Sequence, residues 1–241
     1  MRTTVGILLG GTRQAWGIMR SNSYYMLISS LPALPTRFEV DRLPITLERL
    51  QTRLRMLEPE DAEEISRMLD VLKWSSQFTE ARDTAVARRY SELMQGIANP
   101  LVREVLTASL DMRMIVAALR RRRQGEGPPT VGIGQWLEHI RRHFNRPDFA
   151  LGHVYSWLVP FDQLLERGDV LALYRRLLRE AWAYMTKRMQ DYDTFSFEAV
   201  VLYVARWDII RRWQQLQPER GRTVFEALVT EAMGEHAELY R

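Results

Sequence analysis

His139 and His143 stand four residues apart in a stretch of helical periodicity, so both imidazoles would share one face, as a metal site requires. Between them lie Ile140, Arg141 and Arg142. The glutamate that acts as base in a His-Glu-x-x-His motif is missing, and two arginines would repel a divalent cation. His153 could join only if the turn at Asn145–Pro147 folded back. The pattern favours a polar helix face over a metal-dependent hydrolase, and no metal ligand set is expected. The chain has no cysteine, which removes thiolate catalysis, thiolate metal sites and disulfides. Gly6, Gly10 and Gly11 lack dinucleotide-fingerprint spacing, and no Gly-Lys-Ser/Thr of a phosphate loop occurs. Asp111 and Asp208 are the carboxylates isolated in apolar runs, and each has arginine close by in sequence, which predicts salt-bridged structural residues. No catalytic residue and no cofactor is expected.

The sharpest charged feature is Arg120-Arg121-Arg122-Arg123. Cations suit the last turn of a helix, but the dipole supplies only about 0.3–1 kcal/mol per charge, less than four arginines need. An anionic contact is the alternative, and an acidic protein surface fits better than nucleic acid. No interleaved aromatics accompany the run, as stacking on single strands requires. The net charge is +4 with 34 basic and 30 acidic residues, and only Lys73 and Lys187 are lysine. Residues 1–125 carry 19 basic and 14 acidic groups, residues 126–241 carry 15 and 16. The excess lies in the first half and is too small for a dedicated DNA binder.

The elements that must hold these residues are helical. At 46% hydrophobic and 27% charged, the chain can bury a sizeable core. Residues 1–23 are expected to be a poorly ordered extension. Their apolar run Val5–Leu9 is shorter than the ~7–15 residues of a signal-peptide core, and no stretch approaches the ~20 apolar residues of a membrane span. Tyr24–Ser30 ahead of Leu31-Pro32 reads as a short strand or extended segment, because a residue before proline avoids the helical region. Leu47, Leu50, Leu54 and Leu57 predict a helix, and Pro59 ends it and begins the next, which carries Ile65, Met68, Leu69 and Leu72. Glu80–Ile97 is a weaker helical pattern. Asn99-Pro100 caps a long helix to Gln124, with Leu101, Val105, Met112, Ile115, Val116 and Leu119 on one face and Asp111 and Arg113 in its middle. Gly125–Gly134 holds four glycines and two prolines and reads as a linker between helical units at 24–124 and 135–241, with packing of the two as one domain the alternative. Further helices are predicted over Gln135–Phe144, from Asp169 to about Gln190 (Leu171, Tyr174, Leu178, Trp182, Met185), over Ser196–Gln215 (Ala199, Leu202, Tyr203, Trp207, Ile210, Trp213), and beyond Pro218 to about Leu239. The fold class is all-α, built of helical bundles.

Several stretches together resemble a bacterial family. Tyr24-Tyr25-Met26-Leu27-Ile28-Ser29-Ser30-Leu31-Pro32 is similar to its opening Tyr-Tyr-x-Leu-x-x-Ser-Leu-Pro, and Leu57-Glu58-Pro59-Glu60-Asp61 to its Leu-Ser-Pro-Glu-Asp turn. Leu110-Asp111-Met112-Arg113 through Leu119-Arg120 resembles its Leu-Asp-Leu-Arg-Asn helix, with Met114 where asparagine is preferred. Ile209-Ile210-Arg211-Arg212-Trp213 and Glu219-Arg220-Gly221-Arg222 resemble its closing helices. That uncharacterised family accompanies the components of V-type ATPases and is similar to the helical funnel of their central stalk. The resemblance implies repeated three-helix units and a non-catalytic socket between the central shaft and the membrane rotor ring. It also implies a cytoplasmic place, peripheral to the inner membrane through the complex. Asp111, Arg113 and Arg120, Arg121, Arg122 and Arg123 would make polar contact with a shaft or ring loop. Helices 101–119 and 195–213 match faintly at an offset of 94, as internal repeats would. The rival reading is a nucleic-acid-associated helical protein using Arg120–Arg123 and Arg141–Arg142.

Overall fold

Tyr24, Leu27, Ile28 and Leu31 are spaced i, i+3, i+4 and i+7, a helical stripe, and the chain there is helical. The computed structural model of the chain describes residues 24–77, 91–92, 94–130 and 134–216. Its first helix, α1, is Tyr25–Ser30. The expected extended segment is therefore corrected to one and a half helical turns. The proline rule binds only Leu31, which is extended and ends the helix, while Ser30 returns its hydroxyl to the Leu27 carbonyl. Leu27 is fully buried, and the Tyr24 hydroxyl donates to the buried carboxylate of Asp61. The two opening motifs of the family resemblance thus meet in space.

α2 is Leu47–Leu54, capped by the Thr46 hydroxyl, which accepts from the Arg49 amide. Leu50 packs inward, but Leu47 is 40% exposed, so the predicted stripe is narrower than four leucines. α3, Pro59–Gln77, starts on its proline with Glu60 and Asp61 in the first turn and buries Ile65, Met68, Val71 and Leu72. α4 is Pro100–Arg123. The Asn99 side chain accepts from the Leu101 and Val102 amides, and Glu64 of α3 accepts from the amides of Ala98 and Asn99. The orphan donors of this helix end are thereby met. α5 is Leu137–Arg142, α6 Leu158–Arg167, α7 Val170–Arg188 and α8 Phe197–Gln215. A 3-10 turn at Met189–Asp191 follows α7. Among the described residues there is no strand, and the fold is all-α. None of the helices among them is long and apolar enough to cross a membrane. The predicted extension 1–23, most of the predicted helix 80–97 and the closing helix beyond Pro218 lie outside the described residues.

Among the described residues three apolar clusters form, a small one of Ile45, Leu50 and Trp207 and two larger cores that do not follow chain order. The larger joins α1, α3 and the first half of α4 (Leu101, Val102, Val105, Leu106) to α7 and α8. The smaller joins the second half of α4 (Met114, Ile115, Val116, Ala118, Leu119) to Ile140, Phe144, Phe149, Leu151, Trp157, Leu158, Phe161 and Leu173. α4 and α7 enter both larger cores. α8 is the central rod, buried around most of its circumference, with Val200, Val201, Leu202, Val204 and Ile210 fully covered. Its aromatic groups also act as staples. The Trp207 indole N–H donates to the Ile45 carbonyl at 2.8 Å and the Tyr203 hydroxyl to the Pro32 carbonyl at 2.9 Å. These bonds hold the 31–45 loop against the bundle.

Candidate functional site

The four arginines close α4, and their surroundings sort them. Gly125, at φ 73°, ends the helix in a left-handed turn, so the chain doubles back under it. Arg121 pairs with Glu126 at 3.0 Å and donates to the Gly127 carbonyl. Arg122 donates to the carbonyls of Arg146 and Pro147, reaches Asp162 at 3.5 Å, and lies 4.7 Å over the Phe149 ring. Arg123 donates to the carboxylate and the carbonyl of Asp162 at 2.8 and 2.7 Å, with Glu166 at 3.7 Å. Its hydrogen bond to Asp162 holds the guanidinium pKa above the usual value. Arg120 is exposed and has no ion pair among the described residues. The run is thus a clamp of three residues and one outward charge. Arg122 and Arg123 find their partners 24 to 43 residues downstream, a distance that no local pattern in the sequence reveals.

Arg122 pins an unusual turn. Phe149 and Ala150 are non-glycine residues at φ 51° and 56°, conformations that cost on the order of 1–3 kcal/mol each. Asp148 holds the turn by accepting from the Ala150 and Gly152 amides, bonds that depress its carboxyl pKa. Phe149 is fully buried in the smaller core. Packing below and a guanidinium above maintain the strained turn.

Asp111 has no ion pair among the described residues, against the expected salt bridge, and its burial withholds it from the expected contact with a shaft or ring loop. Asp111 is 1% exposed and accepts from the main-chain amide and the side-chain amide of Gln135, each at 2.9 Å. Burial drives its pKa up, with the Gln135 bonds opposing. Gly134, at φ 114°, lies against it, and a Cβ there would collide with the Asp111 Oδ1. Asp111 therefore latches the chain returning from 125–134 onto α4 and is corrected from surface contact to internal latch. Two residues on, around the helix, Arg113 is partly buried. Desolvation first, then repulsion from Arg212, pulls its pKa down to about 10. Asp208 is the salt-bridged residue that its neighbours predict: 3% exposed, it accepts from Arg211 and Arg212 at 2.6 Å each.

His139 and His143 share a face, their ring centroids 4.4 Å apart, and His143 Nδ1 lies 2.9 Å from the His139 carbonyl. Trp136 packs edge-on against His139. Among the described residues no group of three or more His, Cys, Asp or Glu is placed to hold a metal ion. The pair stands as a packed polar face beside Trp136.

Arg49 and Arg53 line an open cavity of about 440 Å³ between α2 and the 31–45 loop. Their signal in the sequence is two arginines at i and i+4 with no glutamate or aspartate one helical turn to either side.

The chain belongs to a family described as "Protein of unknown function (DUF2764)", whose profile matches residues 76–235. No curated protein and no solved structure matches it.

Proposed function

We propose that this chain is a non-catalytic adaptor in the central stalk of a bacterial V-type ATPase, a socket between the shaft and the membrane rotor ring. Its place would be cytoplasmic, peripheral to the inner membrane through that complex. The reading rests on the ordered motifs between residues 24 and 230, and one structural observation favours it. α4 is a single strut of 24 residues, about 36 Å long at 1.5 Å per residue, packed into both cores. It is braced at its start by Glu64, in its middle by Asp111–Gln135 and at its end by Asp162. Glu104 ties it sideways to Tyr184 and Arg188 of α7. A part that passes torque must deform little under load, and a strut pinned along its length answers that need.

The surface left for such a partner is narrow. Arg121, Arg122 and Arg123 are engaged in the fold, so Arg120 is the residue of the run with its charge outward. A nucleic-acid contact through this edge would have to compete with Glu126, Asp162 and Glu166 for the same guanidiniums. The test is recovery of an affinity-tagged chain from detergent-solubilised membranes at moderate salt. Shaft and ring proteins should copurify, and less of them with Arg120→Glu. Salt-sensitive nucleic acid without rotary-ATPase components would replace the reading with its rival.

A further inference from the structure

We infer that the cavity between α2 and the 31–45 loop is a docking groove for an acidic segment of a partner protein, one in which a carboxylate neighbours an aliphatic side chain. The assignment stands independently of the central-stalk reading.

Its walls are built from behind. The Pro32 carbonyl is held by the Tyr203 hydroxyl and the Ile45 carbonyl by the buried Trp207 indole, while Leu50, 1% exposed, anchors α2. The groove is therefore preorganised and does not depend on a ligand to form, which lowers the ordering cost of binding. At about 440 Å³ it falls within the ~300–1,000 Å³ range of ligand sites.

The chemistry of the lining selects the occupant. Pro32 and Pro44 carry no amide hydrogen, and the hydroxyl hydrogens of Ser30 and Thr52 are committed to the carbonyls of Leu27 and Glu48. The side-chain donors left for a ligand are the guanidiniums of Arg49 and Arg53, which have no ion pair among the described residues. Glu48, beside them in sequence, turns its carboxylate to its own amide and to Thr46, which depresses its pKa. Two arginines at i, i+4 repel each other, and no carboxylate among the lining residues offsets that. A planar fork of N–H groups fits a carboxylate in two parallel hydrogen bonds. Pro32, Pro44 and Ile45 form an apolar floor, and Met56, on the same face as Arg49, Thr52 and Arg53, is 42% exposed at its end. That floor fits an aliphatic side chain next to the acid.

The test uses the full chain and a labelled peptide in which glutamates alternate with leucines, followed by fluorescence anisotropy at about 0.15 M salt, where screening leaves close pairs intact. Binding should weaken at least tenfold in Arg49→Glu/Arg53→Glu and several-fold in Arg49→Lys/Arg53→Lys, which keeps charge but loses the fork. Arg167→Glu, at an exposed residue of α6 that belongs to neither surface, should bind as the wild type does, and circular dichroism should be unchanged in all three. Equal affinity in the charge-reversed protein overturns the inference. So does equal binding of a peptide with serine in place of leucine, or displacement of the peptide by inorganic phosphate or anionic vesicles at matched charge.

Discussion

Gly134 and Asp111 should be energetically coupled, and the sign and size of that coupling follow from their contact. Gly134→Ala places a Cβ at φ 114°, a backbone conformation that costs an L-residue on the order of 1–3 kcal/mol. The same Cβ collides with the Asp111 Oδ1, so the carboxylate must leave the Gln135 amides. The two hydrogen bonds that Asp111 accepts contribute about 2–3 kcal/mol together, and the buried Asp111 has no cation paired with it among the described residues. The single variant should therefore lose roughly 3–6 kcal/mol when both effects are combined. Asp111→Ala alone loses the hydrogen bonds and should cost roughly 2–3 kcal/mol. In the double variant the bonds are lost only once and the collision disappears. Its cost should fall short of the summed singles by about 2–3 kcal/mol. Urea unfolding followed by circular dichroism, with m-values compared across the four proteins, measures the cycle. Additivity within ~0.5 kcal/mol would refute the latch, because it would mean the glycine and the carboxylate act independently.

The clamp predicts a sharp contrast between adjacent arginines. Arg120→Glu should leave stability within about 0.5 kcal/mol, whereas Arg123→Glu, facing Asp162 across a partly exposed pair, should cost about 1–2 kcal/mol. Thermal melts separate the two, and equal losses would contradict the clamp. Tyr24→Phe leaves the buried Asp61 carboxylate without its donor and should cost about 1–3 kcal/mol, read as a lower urea midpoint at unchanged m-value. The raised pKa of Asp111 carries a definite pH sign. Between the unfolded carboxyl pKa and the higher folded one, the native state binds more protons than the unfolded state. The contribution of Asp111 therefore favours the fold below the unfolded pKa and is lost as pH rises through the folded pKa. Asp111→Asn should remove that slope from the difference in unfolding free energy, and an unchanged slope would assign it to another group.

How far the sequence can be read depends on the distance over which each residue acts. Asn99, Asp169 and Ser196 act locally, each accepting from an amide two or three residues on, and the helices they cap stand where their spacing predicts. α1 departs from expectation because the proline rule governs Leu31 alone and not the six residues before it, where Tyr24, Leu27, Ile28 and Leu31 already show helical spacing. Leu171, 45% exposed, and Leu47 show the limit of reading stripes by eye, because the width of a buried face is set by the neighbour that covers it. The arginine run is legible as charge and opaque as structure. Its partners Asp162 and Glu166 lie about forty residues downstream, and only tertiary folding brings them near. The two cores are hidden for the same reason, since α4 and α7 each divide their apolar faces between them.

Coupling between ATP hydrolysis and ion movement, measured in inverted membrane vesicles, tests the central-stalk reading most directly. Vesicles from cells lacking this chain, restored with the wild type or with the folded Arg120→Glu variant, should show ion pumping per ATP hydrolysed that returns with the wild type and falls with the variant. Full coupling in vesicles without the chain would contradict the reading.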